Sequence, residues 1–141
     1  MIYHNKLRVW LPPGGHIEEN ELPDKAVLRE ILEETGIKAL IISDKQKLTL
    51  SDKFCKELEC PFTILLEDIE RNKTHNHIDM IYLCIAVNEN EELLLQKSEI
   101  NNIGWFSFDQ IKKLKTFENV KELISKSVEY IEKINFISLF N

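Results

Sequence analysis

The stretch that decides the fold is GHIEENELPDKAVLREILEETGI, residues 15–37. Its second half predicts a helix over residues 23–35. Pro23 suits the first helical position, and Asp24 places an acid in the first turn, where the helix dipole favours negative charge. Gly36 suits the position just past the helix end. Both ends of the helix can therefore be assigned from single residues.

The predicted helix has two unlike faces at about 100° per residue. Glu30, Glu33 and Glu34 fall on one arc as i, i+3 and i+4 neighbours, and their like charges destabilise a bare helix. One interpretation is a solvated acidic face. The other is a surface for a hard divalent cation, because Mg²⁺ prefers oxygen ligands. The opposite, apolar arc is the predicted core face and consists of Val27, Leu28, Ile31 and Leu32.

The loop ahead of the helix contains the chain's only adjacent glycines, Gly14 and Gly15. A glycine pair lets the backbone approach a ligand closely, although an ordinary turn is the alternative interpretation. If the loop folds over the acidic face, its carbonyls can join a metal shell and its amides can meet a phosphate. Glu21, just before the helix, is placed to hold Arg29 in position.

Length and composition restrict the class of protein. We expect one domain over residues 1–141, and the net charge of −6 argues against non-specific nucleic-acid binding. The three cysteines are an odd number, which favours reduced thiols in the cytoplasm. The apolar runs are too short for a secretory leader or a membrane span, so we expect a cytoplasmic protein without a membrane partner.

The order of predicted elements is strands, helix, strands, helices, which indicates an α+β or α/β/α fold with a mixed sheet between helices. Ser107 or Asp109 could cap the helix that begins there. The predicted strands lie in residues 1–11, 37–43, 47–51, 62–69, 77–87 and 103–108, and the later helices in 109–115 and 118–134.

Residues 15–37 resemble the Nudix box, G-x5-E-x7-R-E-U-x-E-E-x-G-U with U a bulky aliphatic, at every specified position. WLPPGGHIE before it and IGWFSFDQI near the end also resemble segments of this MutT-like family. The resemblance implies a Nudix-type α/β/α sandwich that hydrolyses a nucleoside diphosphate linked to another group X. Such enzymes bind Mg²⁺ or Mn²⁺.

The resemblance also implies roles for single residues. Arg29 and Glu21 would form an orienting pair, and one of the box carboxylates could serve as general base. Glu99 lies where many members place a further acid, although an ordinary loop acid is the alternative. The implied metal ligands are Glu30, Glu33, Glu34 and a carbonyl of the Gly14–Gly15 turn, taken as that of Gly15.

One feature departs from the family pattern: only 14 residues precede Gly15, where the family normally places a further strand. The open explanations are an internal start codon, a fold that lacks the usual first strand, or a strand supplied by a partner. A missing strand would expose an unpaired sheet edge, so we expect a homodimer through that edge or a less stable fold.

His75, His77 and Asp79 alternate in THNHIDMIY and would share one face of a strand. One interpretation is an edge strand with these polar residues outward. Another is a wall of the substrate pocket beside the metal helix, to which the Gly14–Gly15 loop and His16 would also contribute. A zinc site built from the three is the least favoured interpretation.

The sequence therefore predicts Mg²⁺-dependent hydrolysis of a nucleotide such as a (d)NTP, ADP-ribose or a nucleotide sugar. Two alternatives are a catalytically silent Nudix-fold nucleotide sensor and an interaction module. An intact Arg-Glu-x-x-Glu-Glu motif argues against the silent sensor. A coenzyme A substrate is disfavoured, because its subgroup has an extra motif for which no room exists upstream of the box.

Overall fold

The computed structural model describes residues 1–43, 48, 54–68, 75–88, 92–94 and 100–138. Within these ranges the chain forms antiparallel strands and α-helices, so the expected α+β class is confirmed. The elements are β1 (Ile2–His4), β2 (Val9–Leu11), α1 (Pro23–Thr35), β3 (Ala39–Ile42), β4 (Thr63–Asp68), β5 (Asn76–Ile81), β6 (Leu83–Ala86), β7 (Ile100–Ile103), α2 (Phe108–Lys113) and α3 (Glu118–Ser138).

Helix α1 begins and ends where the sequence predicts. Pro23 opens it, and Gly36 ends it in the left-handed conformation with φ 74°, donating its N–H to the carbonyl of Leu32. Leu22 caps the start with extended backbone and no side-chain hydrogen bond. Leucine has no side-chain oxygen, so the first turn relies on Pro23 and on the acid that follows.

The faces of α1 differ from the predicted ones. Glu30 and Glu34 are buried at 6% and 7% exposure, whereas Leu32, predicted to lie in the core, is 41% exposed. The acidic arc of α1 is therefore not a solvated surface for these two residues. A loop folds over it, and periodicity within one helix cannot reveal such a cover.

Every strand pairing among the described residues is antiparallel, where a mixed sheet was expected. Strand β1 lies between β2 and β7, while β3 pairs with β6 and β4 pairs with β5. The segment before Trp10 thus supplies a strand that is hydrogen bonded on both sides. The prediction of a strand over 103–108 is wrong in its bounds, since β7 ends at Ile103 and its pairing with β1 ends at the two hydrogen bonds between Met1 and Gly104. Of the strand predicted over 47–51, only residue 48 lies within the described residues.

The half-buried face of the β4–β5 ribbon carries Glu67, His77 and Asp79. Glu67 lies directly opposite His77, and Leu65 lies opposite Asp79. The interpretation with His77 and Asp79 pointing outward is wrong, because both are half-buried. The exposed side chains of the ribbon form apolar cross-strand pairs instead: Ile64 with Met80 and Leu66 with Ile78.

The C-terminal helices follow from clear local signals. Ser107 caps α2 in a capping box, in which its hydroxyl accepts from the Gln110 N–H and the Gln110 side chain accepts from the Ser107 N–H. Tyr130 of α3 contacts the segment just before β4, where its ring lies 5.4 Å from that of Phe62. No helix in the described part of the chain is long and apolar enough to cross a membrane.

Candidate active site

Arg29 is the hub of the acidic face of α1. Its Nε and Nη2 donate to the two carboxylate oxygens of Glu21 at 2.8 Å each, and its Nη1 donates to Glu30 at 2.7 Å. Longer bonds join Nη1 to Glu33 at 3.4 Å and Nη2 to the carbonyl of His16 at 3.0 Å. A guanidinium has five N–H donors, and five acceptor contacts use them all.

Arg29 and its carboxylate partners stabilise one another's charged forms. Hydrogen bonds from Arg29 lower the pKa of Glu21 to about 2, with further contributions from a backbone hydrogen bond with Glu18 and from the Arg29 charge. The same carboxylates, Glu21 first and then Glu30, raise the pKa of Arg29. Glu21 and Arg29 therefore stay ionised over the physiological pH range, and the predicted orienting pair is formed.

The glycine loop lies directly on the buried carboxylates. The Gly14 N–H donates to Oε2 of Glu34 at 3.0 Å. A Cβ on Gly15 would lie 2.4 Å from Oε1 of Glu30, so only glycine leaves that carboxylate its place. Nothing lies within 4 Å of a Cβ built on Gly14. The two adjacent glycines thus differ in role. Gly14 donates its amide N–H to Glu34, and Gly15, which has no side chain, leaves room for the carboxylate of Glu30.

The donors on this face fit a hard divalent cation. The side-chain donors are all oxygens, namely those of the carboxylates of Glu30, Glu33 and Glu34, and the backbone of Gly14 and Gly15 lies against two of these carboxylates. Within the described ranges, no group of three or more His, Cys, Asp or Glu side chains is already gathered around one metal position. The glutamates would therefore have to turn from their present hydrogen bonds toward a common point.

The histidines singled out in the sequence form one cluster with the glycine loop. The rings of His16 and His77 lie 5.3 Å apart, and those of His75 and His77 lie 4.8 Å apart. Nε2 of His75 is 2.8 Å from Nε2 of His77. His16 and His75 are exposed and His77 is half-buried, so a ligand can reach all three.

An acid pair lies behind His77. Burial raises the pKa of Glu67, and the charge of Asp79 and a hydrogen bond between the two carboxyl groups raise it further, while the charge of His77 lowers it. A nearby carboxylate disfavours the charged form of Glu67, because two like charges repel each other. The sequence does not predict Glu67 as a site residue, because its place opposite His77 is set by the register of β4 and β5.

The structure brings most predicted site residues into two neighbouring groups. Around Arg29 lie Glu21, Glu30, Glu33, Glu34 and the Gly14–Gly15 turn; around His77 lie His16, His75 and Asp79. His16 joins the groups, since it follows Gly15 and its carbonyl accepts from Arg29. Glu99 lies outside the described residues.

The model of the NUDIX domain family matches residues 3–127 of this chain. Among solved structures, a hydrolase of the NUDIX family from Clostridium perfringens superposes with a TM-score of 0.79 at 28% identity, covering 92% of this chain and 87% of that one. The expected fold is thereby confirmed.

Two curated proteins show where the sequence similarity lies. An asymmetrical bis(5'-nucleosyl)-tetraphosphatase of Sus scrofa is 27% identical over 127 residues, which is 90% of this chain and 75% of that protein. An m7GpppN-mRNA hydrolase of Danio rerio is 62% identical over 29 residues, only 21% of this chain and 10% of that protein. The first similarity spans nearly the whole chain, whereas the second is short and strong.

Proposed function

Since the chain belongs to the Nudix family of pyrophosphohydrolases, we propose that it hydrolyses a nucleoside polyphosphate with Mg²⁺ at the acidic face of α1. The observation that supports this most strongly is the hub of Arg29, which holds Glu21 and Glu30 while the Gly14–Gly15 turn lies on the same carboxylates. A solvated structural helix has no need to bury two glutamates under a glycine loop.

In this proposal Glu30, Glu33 and Glu34 hold the cation, with a carbonyl of the glycine turn, taken as that of Gly15. Mn²⁺ would suit the same oxygen ligands. When bound, the ion supplies positive charge that offsets the phosphates and makes water more acidic. The proposed cation site thus consists of the carboxylates on one face of α1 and the Gly14–Gly15 turn that lies over them.

The chain's own residues do the remaining work. Arg29 fixes Glu21 and Glu30 through its planar fork, which limits their rotation before substrate arrives. Glu33 is the most accessible of the helix carboxylates, with 43% of its side chain exposed, so we assign it the proton from the attacking water. The buried Glu34 keeps its position through the Gly14 amide. Glu99 stays a predicted further acid.

The relative from Sus scrofa supports dinucleoside tetraphosphates as the first substrates to test. The (d)NTPs, ADP-ribose and nucleotide sugars remain in the proposal as shorter-chain substrates. We propose that residues 1–141 act as one domain, and homodimer formation stays a prediction. The alternative is a silent sensor or interaction module with the same fold, which would bind nucleotides without turnover.

A substrate panel tests the proposal. Dinucleoside tetraphosphate, (d)NTPs, ADP-ribose and nucleotide sugars are incubated with Mg²⁺, and the products are separated by ion-exchange chromatography. Reaction in ¹⁸O-labelled water shows which phosphorus is attacked. We expect turnover of at least one member with cleavage inside the phosphate chain. Tight nucleotide binding without any turnover would contradict the proposal and support the sensor.

A further inference from the structure

The exposed face of the β4–β5 ribbon carries four large apolar side chains, which we call the ribbon patch: Ile64, Leu66, Ile78 and Met80. Each is between 37% and 69% exposed. An antiparallel sheet that packs on the protein with one face normally turns polar residues to water on the other. Here the order is reversed, because the polar residues of the ribbon occupy its half-buried face. The exposed face therefore has the composition of a surface that another surface covers.

The four residues of the ribbon patch are neighbours. Ile64 lies directly opposite Met80, and Leu66 lies directly opposite Ile78, so each pair has its Cβ atoms about 5 Å apart. Along each strand the next residue on the same face is about 7 Å away. The exposed fractions correspond to roughly 450 Å² of largely apolar surface, within the range of about 300–600 Å² that is often functional on a monomer.

A second copy of this chain fits the ribbon patch. In a contact with two-fold symmetry the same surface is used by both copies, so it must be complementary to itself. The patch has no charged member, and two sheets can stack at about 10 Å with their side chains interdigitated. Two stacked patches would remove about 900 Å² from water, close to the roughly 1,000 Å² at which specific interfaces begin. The polar surroundings of the patch add to that area.

The ends of the ribbon suit an antiparallel stack. Asp68 and Asn76 lie opposite each other and are exposed at one end, whereas Thr63 and Ile81 form the other end. When the two ribbons run in opposite directions, the Asp68 end of one copy lies over the Thr63 end of the other. The two Asp68 carboxylates are then far apart, and each lies at the polar rim of the contact.

A contact through the ribbon patch leaves the candidate active site open. Successive side chains of a strand point to opposite faces, so His77 and Asp79 point away from the patch. The sites of the two copies would therefore lie on the outer sides of the stacked ribbons. The contact neither needs a ligand at the site nor blocks one.

We propose that the ribbon patch is the interface of a homodimer, in which two β4–β5 ribbons stack face to face about a two-fold axis. This interface differs from the sheet edge that the sequence suggested, where β1 is already paired with β2 and β7. The inference goes beyond the proposed hydrolysis and does not depend on it.

Sedimentation velocity of the full chain from about 1 to 200 µM tests the dimer, because interfaces of moderate size begin at micromolar affinity. We expect the mass to approach twice the 16.6 kDa of one chain as concentration rises. Leu66→Lys should raise the Kd of the dimer at least about 100-fold, since each dimer would bury two unpaired ammonium groups. Ile78→Thr should raise it at least about tenfold and keeps the branched Cβ that suits a strand.

Leu7→Lys is the matched control, because it makes the same change at an exposed leucine in the β1–β2 turn. It should dimerise like the original chain. A monomer at every concentration would overturn the proposal and leave the ribbon patch to a different protein. A dimer that survives both Leu66→Lys and Ile78→Thr would place the interface elsewhere and overturn it as well.

The two methionines of the chain can locate the contact in NMR. With ¹³C-labelled methionine methyl groups, Met80 reports on the ribbon patch and Met1 reports on the end of β1, where its amine donates to the Gly104 carbonyl. We expect the Met80 signal to move with protein concentration in the original chain and to stay still in Leu66→Lys, while Met1 stays still in both. Movement of Met1 alone would place the contact at the N-terminal sheet edge and overturn the proposal.

Discussion

The guanidinium of Arg29 donates two parallel hydrogen bonds to the carboxylate of Glu21, from Nε and from Nη2, each 2.8 Å long. Glu21 stands ahead of α1 and Arg29 stands in its second turn, so this fork ties the incoming loop to the helix. A third hydrogen bond, from Arg29 to Glu30, connects the loop to a buried carboxylate as well. The loop and the helix face are thus one unit.

Replacing Arg29 by lysine should lower kcat while leaving the thermal stability of the fold nearly unchanged. An ammonium cannot make the two parallel bonds to Glu21 and also reach Glu30. We expect kcat to fall at least about tenfold, as loss of a charged, positioning hydrogen bond predicts, with little change in Tm. Steady-state kinetics and thermal melts measure both.

Arg8→Lys is the matched control, because it makes the same change in the β1–β2 turn, away from the carboxylates. It should leave kcat and Tm close to their original values. An Arg29→Lys variant with unchanged kcat/KM would show that the fork has no role in positioning.

Glu21→Gln should change the acid stability of the fold. The pKa of Glu21 is about 2 in the folded chain against an ordinary value of 4.5. Its ionised form therefore stabilises the fold fully above about pH 4.5, and this contribution is lost as pH falls toward 2. We expect the Tm gap between the original chain and Glu21→Gln to be largest near pH 6 and to narrow below pH 4.5. A gap that stays constant from pH 6 to pH 3 would contradict the ion pair.

The two adjacent glycines should tolerate alanine differently. In Gly15→Ala the new methyl would lie 2.4 Å from Oε1 of Glu30, so that carboxylate must shift by about 1 Å to restore ordinary contact. A misplacement of that size can lower kcat on the order of 100-fold. Tm should change little, because the end of a flexible side chain moves.

Gly14→Ala is the control for that change, since open space surrounds the position that its new methyl group would take. We expect its kcat to stay within about threefold, with the Gly14 amide still bonded to Glu34. Steady-state kinetics of both variants measure the difference. Similar losses in both variants would mean that the turn is sensitive for another reason than the position of Glu30.

The cysteines should react at two rates. Cys55 and Cys60 are exposed and free, whereas burial raises the pKa of Cys84 to about 11. At pH 8 a thiol reagent should label two of the three cysteines quickly and the third slowly, because the thiolate is the reacting form. Spectrophotometric titration counts them. Equal labelling of all three in the folded protein would contradict the placement of Cys84 on β6.

Much of the fold follows from local signals in the sequence. The bounds of α1 follow from Pro23 and Gly36, and the start of α2 follows from Ser107, because caps and breakers act within a few residues. The end of β7 at Ile103 could not be predicted. A strand extends only as far as its partner, and the partner of β7 is a segment about one hundred residues earlier.

The sequence predicts most residues of the site, but it does not predict how they are arranged. The spacing from Glu21 to Arg29 indicated an ion pair, and the structure shows its fork. The burial of Glu30 and Glu34 depends on a loop folding back, which helix periodicity does not encode. The place of Glu67 opposite His77 is not encoded in one strand either, since it is set by the register of β4 and β5.

The central claim is that the carboxylates of α1 bind a divalent cation for phosphate-chain hydrolysis. The most direct test is the kcat for dinucleoside tetraphosphate, measured with Mg²⁺ and with EDTA, for the original chain and for Glu33→Gln and Glu34→Gln. The account predicts no turnover in EDTA and a loss of at least about 100-fold in each variant with Mg²⁺, while their melts without metal are unchanged or slightly raised. Full turnover in EDTA, or in both variants, would contradict it.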